Sequence, residues 1–252
     1  MNEKIYFTSI ENKKDFGKFL NSKERRIFNF LNANSLYLFK KNKEFSSFLK
    51  DFQKILVNFV DGVPISLTLS IKKRKLIRKM PGPDITEFIF TRKDLLKDKK
   101  IFLIGFTEQD LNFLCKKYPK LKRKNLSSYN PPYIEGLNFS KKEIAKISDL
   151  IKKFDAEYVF IGIGNPKQEF LSKELYSKTK AKYFFNVGAA FDFLSEKKKR
   201  APKIIQKIGL EWFYRLISDF KHSKDKVWRS FIALKYLNWV ELELDKNSPK
   251  SL

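Results

Sequence analysis

Cysteine and histidine are almost missing from this 252-residue chain, with Cys115 and His222 the sole example of each. One cysteine excludes an intrachain disulfide, and one cysteine with one histidine excludes a Cys/His metal cluster. No uninterrupted apolar run approaches the roughly 20 residues needed to cross a bilayer. The opening stretch, MNEKIYFTSIENKKDFG, lacks the long apolar core of a secretory leader. A cytoplasmic protein without a spanning helix is therefore expected. Walker, GxGxxG, HExxH and GxSxG signatures are absent as well, which removes the common nucleotide, zinc-hydrolase and serine-hydrolase motifs.

Positive charge, by contrast, is in excess. Lys and Arg number 53 against 28 Asp and Glu, a formal net charge of +25. Part of that excess follows a general abundance of Lys, Asn, Ile and Phe and forms solvated surface. The remainder points to polyanions, and charge alone does not rank nucleic acid, anionic lipid headgroups and a diphosphate substrate. With 42% hydrophobic residues and 26 phenylalanines the chain is no candidate for disorder. Its length suits one large α/β domain, or such a domain with an appendage.

Strand and helix signals alternate along the chain. SSFLKDFQKILVNFVDG reads as a helix feeding a strand that ends at Asp61-Gly62. SLTLSIKKRKLIRKMPGPD follows, with six basic residues between Lys72 and Lys79, and reads as a mobile or ligand-covering loop. In KKIFLIGFTEQDLNFLCKKYP a strand over 101–105 leads to a Thr107 N-cap, with Asp110 at N3, and an amphipathic helix. The loop NPPYIEG precedes helical periodicity in KKEIAKISDLIKKFD. EYVFIGIG and KYFFNVGAA are further short apolar runs that close on glycine. This spacing predicts a Rossmann-like, mostly parallel sheet with helices on both faces. Ligands would then bind beyond the carboxyl ends of the strands, where Asp61, Gly105, Gly162 to Gln168 and Gly188 to Asp192 converge.

The composition changes at about Ser195, which divides an α/β domain over 1–194 from a basic, aromatic, helical appendage over 195–252. Residues 195–235 hold twelve Lys/Arg against four Asp/Glu, and Trp212, Trp228 and Trp239 are the only tryptophans. Ile205, Ile208, Trp212, Leu216 and Phe220 recur at helical spacing, which suits either a membrane-surface helix or one packed on the core. In VWRSFIALKYLNWV the apolar share is higher, and an interface or partner surface is the better reading.

The segment YVFIGIGNPKQE is the most informative. An apolar run stops at Gly162 and Gly164. Asn165, Pro166 and Gln168 then read as N-cap, N1 proline and capping-box acceptor, with backbone N–H groups facing an empty position. Such a turn suits a phosphate or diphosphate, although many crossovers use glycine turns only for tight packing. There is no DxD pair of the kind that many nucleotide-sugar enzymes use to hold a divalent ion, which favours a metal-independent mechanism with no cofactor.

The ordered series DG (61–62), RKMPGPD (78–84), FLIG (102–105), GIGNPKQE (162–169), NVGAAFDF (186–193), RAP (200–202) and GLEWFYRL (209–216) resembles the WecG/TagA/CpsF glycosyltransferases. The resemblance implies transfer of an N-acetylmannosamine-type sugar from a UDP donor to a polyprenyl-diphosphate-linked N-acetylglucosamine, during assembly of a surface polysaccharide or teichoic-acid linkage unit. It implies inversion at the anomeric carbon, independence from metal, and a basic C-terminal appendage that meets the anionic inner face of the cell membrane and helps close the site. Asp61 matches the aspartate proposed as general base, and Arg78 an arginine able to stabilise departing UDP. Gly105, Gly162, Gly164, Pro166, Gln168, Gly188 and Asp192 match positions lining the pocket, with Arg200 in RAP and Arg215 in EWFYRL. Asn34, with Asn32, falls near a strand-end T-x-N pattern whose threonine is replaced here. Beyond Arg215 the usual EPxRxxRY run is DFKHSKDKVWRS, which offers Lys221, Lys224 and Arg229 in its place.

Two other classes stay in view. A basic nucleic-acid-binding protein would account for the charge and the interleaved aromatics, but leaves Asp61, Gln168 and the FDF/RAP/EWFYRL series unexplained. A catalytically inactive relative kept for membrane assembly would fit the altered C-terminal run. A homo-oligomer is compatible with everything above.

Overall fold

A computed structural model of the chain describes residues 4–10, 12–197, 201, 202, 205, 214 and 220–242. Its centre is a six-stranded parallel sheet made of β2 (Arg26–Leu31), β3 (Leu56–Val60), β4 (Ile101–Ile104), β5 (Leu126–Tyr129), β6 (Tyr158–Ile161) and β7 (Tyr183–Asn186). Across the sheet the order is β3-β2-β7-β6-β4-β5. All five pairings are parallel, so every strand ends at the same edge. The α/β expectation holds.

Helices cover both faces, as a sheet buried on both sides requires. Against one face lie α1 (Lys13–Leu20), α5 (Gly82–Thr91), α6 (Lys93–Leu96), α7 (Glu108–Lys117) and α10 (Ala190–Leu194). The strand side chains that face these helices are largely aromatic. Phe185 stacks between Phe28 and Phe160, with centroids 5.0 and 4.4 Å away. The other face carries α2 (Ala33–Lys41), α3 (Lys43–Asp51), α4 (Val63–Lys73), α8 (Lys141–Phe154) and α9 (Lys167–Lys178). Strand residues alternate between the two cores: Val159 and Ile161 join the second, Tyr158 and Phe160 the first.

The C-terminal elements return to this second face. The helix α11 (Phe220–Ala233) packs on α2, and a 3-10 helix (Leu234–Trp239) leads into β8 (Val240–Leu242). That strand pairs in parallel with β1 (Ile5–Phe7), Ile5 opposite a fully buried Val240. Trp239 meets Phe39 of α2 edge to face. Ile205 and Tyr214 are described singly, so the periodic run from Ile205 to Phe220 lies largely outside the described residues.

Two local expectations are corrected. The basic stretch after Gly62 is a loop only over 74–81. Residues 63–73 are helical because Ile65 and Leu69 recur at i, i+4 and are fully buried. The return from Arg74 to Met80 is fixed to that helix: Ser70 accepts the Ile77 N–H at 2.9 Å, and the Ser66 hydroxyl donates to the Ile77 carbonyl. Helix α9, in turn, begins one residue later than its motif suggests. Its N-cap is Pro166, preceded by a cis Asn165–Pro166 peptide, and no side chain caps it. The strand and Thr107 capping box before α7, and helix α8, form where expected.

Candidate active site at the carboxyl edge of the sheet

Close contacts join the loops that leave β3, β2, β7, β6 and β4. A Cβ on Gly62 would touch Asn32 at 3.7 Å. Asn32 caps α2, its side chain accepting the Asn34 N–H at 3.0 Å. The Asn34 amide reaches across to Asn165 at 3.5 Å. Gly162 lies against the Gly188 carbonyl, and Gly105 against Gly162. At Gly162 the requirement is close approach: a Cβ would stand 2.3 Å from the Phe191 ring. At Gly188 it is backbone conformation, φ +56°. The edge therefore gathers Asn34, Gly105, Gly162, Gly164, Pro166, Gln168 and Gly188 into one continuous rim. Asp61 stands at its β3 end, half-buried, with its N–H bonded to the Leu31 carbonyl at 2.9 Å.

Arg78 is brought near the Asp61 end of this edge by the backbone. Its side chain is exposed, and two residues later the Met80 N–H bonds to the carbonyl of Val60, the residue before Asp61. Asp192 lies in the first turn of α10, half-buried. Arg200 and Arg215 lie outside the described residues.

The turn from Gly162 to Gln168 differs from a simple anion cradle. The Gln168 N–H is bonded to the Gly164 carbonyl at 3.0 Å and the Glu169 N–H to the Pro166 carbonyl at 3.1 Å. The Gln168 N–H, a donor expected to face a ligand, is thus consumed within the turn. The Gln168 side chain closes no capping box either. It accepts the Gly188 N–H at 2.9 Å and donates to the Asn186 carbonyl at 3.2 Å and to Glu169 Oε1 at 3.0 Å. Both amide hydrogens are occupied, and Gln168 serves as a clamp between the β6–α9 and β7–α10 turns.

Beside that clamp is Glu169, which the sequence showed only as the last letter of a motif. It is 1% exposed. Burial pushes its carboxyl up to about 7, opposed by the neighbouring Asn165 and Gln168 amides. Among the described residues, neither Glu169 Oε2 nor Asn165 Nδ2 makes a hydrogen bond of good geometry, and Asn34 Oδ1 and Asn186 Oδ1 are buried without a partner. Such a cluster suits a polar ligand or ordered water, because buried polar atoms are otherwise paired.

Behind the rim runs a ladder that sequence reasoning missed. Asn186 donates to Asn29 Oδ1 at 2.7 Å and to Ser172 at 2.9 Å, Asn29 to Asn58 at 2.8 Å, and Asn58 to the Tyr6 carbonyl at 3.1 Å. The three asparagines occupy matching positions on β7, β2 and β3. A signal was present: IFNFL, LVNFV and FFNVG each carry one asparagine inside an apolar run.

On the far side of the rim, Lys197 and Asp110 form an ion pair at 2.7 Å. Burial favours the neutral acid, but the bonds from Lys197 and Thr107 prevail and hold Asp110 below the usual carboxylate range. This fixes the chain after α10 against the N-terminus of α7. A lysine-rich hollow formed by Lys93, Lys97, Lys99, Lys120 and Lys122 lies at the opposite, amino ends of β4 and β5 and is separate from this site.

Compared with known protein families, the chain matches the model of the glycosyl transferase WecG/TagA/CpsF family over residues 8–243.

Proposed function

The chain belongs to the glycosyl transferase WecG/TagA/CpsF family, and we propose that its carboxyl-edge site moves an N-acetylmannosamine-type sugar from UDP to a polyprenyl-diphosphate-linked N-acetylglucosamine with inversion. One observation carries this reading: Asp61 stands at the β3 end of a rim on which the loops after five parallel strands meet. An inverting transfer needs one carboxylate beside the acceptor hydroxyl and a separate polar surface for the donor. Asp61 takes the hydroxyl proton as that oxygen bonds to the anomeric carbon. The bond from this carbon to the β-phosphate oxygen breaks, and its electron pair leaves with UDP.

Arg78 supplies positive charge for the departing diphosphate, which accumulates negative charge in the transition state. Asn34 and Asn165 face the donor, and Asp192 lines the same pocket. Gln168 acts by position, holding the two glycine turns at fixed separation. Residues 195–252, with Arg200 and Arg215, are read as the segment that closes over the donor and meets the anionic inner face of the membrane. Within it Trp228 and Phe231 of α11 are exposed.

The test is a panel of UDP sugars offered with a short polyprenyl-diphosphate N-acetylglucosamine, with and without EDTA, and product detected by mass. Product from a UDP-N-acetylmannosamine-type donor alone, undiminished by EDTA, is expected. Transfer only with another donor class, or only with added divalent ion, overturns the corresponding part of the reading.

A further inference from the structure

Leu67, Ile71 and Leu76 are 59, 69 and 68% exposed. Leu67 and Ile71 share one face of α4, opposite the buried Ile65 and Leu69, and Leu76 follows in the return that Ser66 and Ser70 pin to the helix. Around them are Lys72, Lys73, Arg74, Lys75, Arg78 and Lys79, and no acidic residue occurs between Asp61 and Asp84. This surface is continuous with the C-terminal elements: Lys72 Nζ bonds to the carbonyls of Asn238 and Val240 at 2.9 and 2.8 Å and pairs with the Glu241 carboxylate at 3.4 Å. The 3-10 helix packed on α4 carries a further exposed aliphatic side chain, Leu234.

We infer that the outer face of α4 and the turn to Leu76 form a docking surface for an anionic lipid bilayer, centred on α4, which adjoins the 3-10 helix, rather than on Trp228 and Phe231 of α11. Charge complementarity selects the occupant. Exposed aliphatic side chains ringed by cations insert below headgroups while their neighbours meet lipid phosphate. Nucleic acid is disfavoured because Leu and Ile offer no ring on which bases stack. A second copy of the chain is disfavoured because a two-fold contact would set Lys73 and Arg74 against like charges. Placement adds a functional consequence. Helix α4 starts directly after Asp61-Gly62, and Ile71 lies roughly 12 Å along it from Val63 at the α-helical rise. Docking through α4 therefore brings the Asp61 end of the rim to the bilayer surface. That consequence rests on the lipid-borne acceptor proposed above, whereas the docking surface itself does not.

Vesicle co-sedimentation of the full chain tests the inference, using phosphatidylcholine alone and phosphatidylcholine mixed with phosphatidylglycerol. Wild type is expected to bind only the mixed vesicles. Combined Leu67→Ser, Ile71→Ser and Leu76→Ser should weaken binding about tenfold or more, and combined Lys73→Gln and Arg74→Gln roughly twentyfold. Melting temperature and UDP binding should be unchanged in both variants, since all five side chains are exposed. Wild-type vesicle binding by both variants overturns the inference, as does binding indifferent to anionic lipid. A dimer in solution that the serine variant abolishes assigns the face to a second copy instead. None of these readouts uses sugar transfer, so failure of the proposed reaction and failure of the docking surface are told apart.

Discussion

The side chain of Gln168 accepts the backbone N–H of Gly188 at 2.9 Å, and through this bond the turn after β6 is fastened to the turn after β7. Its amide also donates to the Asn186 carbonyl and to Glu169. Replacing Gln168 by Ala leaves the Asn186 carbonyl without this donor and frees the Gly188 turn. An unpaired buried group costs about 1–3 kcal/mol. Gln168→Ala is expected to melt several degrees lower and to lose transfer activity, with a higher KM for the donor. Thermal denaturation and initial-rate kinetics check this, and a variant matching wild type in both would contradict the clamp.

The asparagine ladder gives a second expectation. Asn29 is fully buried, donates to Asn58 and accepts from Asn186. Asn29→Leu strands both partners in a low-dielectric layer, so a loss on the order of 2–4 kcal/mol is expected. Urea unfolding of Asn29→Leu, Asn58→Leu and the double variant should show strong non-additivity, because the second substitution removes a partner already stranded. Additive losses would mean that the ladder is not one network.

What the sequence made legible was whatever depends on local pattern. Apolar runs ending at Gly105, Gly162 and Gly188 gave strands and their shared edge, and Thr107 with Asp110 gave a helix start. Three features escaped because they depend on distant partners. Asn165 reads as an N-cap by type, yet its carboxamide pairs with Asn34, 131 residues away. The run of basic residues after Ile71 reads as loop by composition, and only the bonds from Ser66 and Ser70 to Ile77 reveal that it is fixed. Glu169 was invisible as a titrating group for the same reason: its burial is made by tertiary packing, not by its neighbours in sequence.

Asp61 carries the chemical step of the proposed reaction, and its substitution separates binding from catalysis. Asp61→Asn keeps size and hydrogen-bonding capacity but cannot take a proton from the acceptor hydroxyl. General-base loss typically lowers rate by about 10²–10⁴-fold. The variant is expected to lose kcat by that order while binding UDP as wild type does by calorimetry. Near-normal turnover would remove Asp61 from the role of base.

Glu169 makes the stability of this edge depend on pH in an unusual direction. Burial raises its carboxyl from the ordinary 4.5 up to about 7. Within that interval the folded chain holds a proton that the unfolded chain has released, so stability falls as pH rises and is fully lost from this source above about pH 7. Glu169→Gln imitates the neutral form and retains an acceptor oxygen for the Gln168 amide. Relative to wild type it should gain on the order of 1–3 kcal/mol between pH 5 and pH 8. Denaturant unfolding of both proteins across that range measures the difference directly. Because other ionisable groups titrate equally in the two proteins, parallel stability curves would show that Glu169 is ionised throughout.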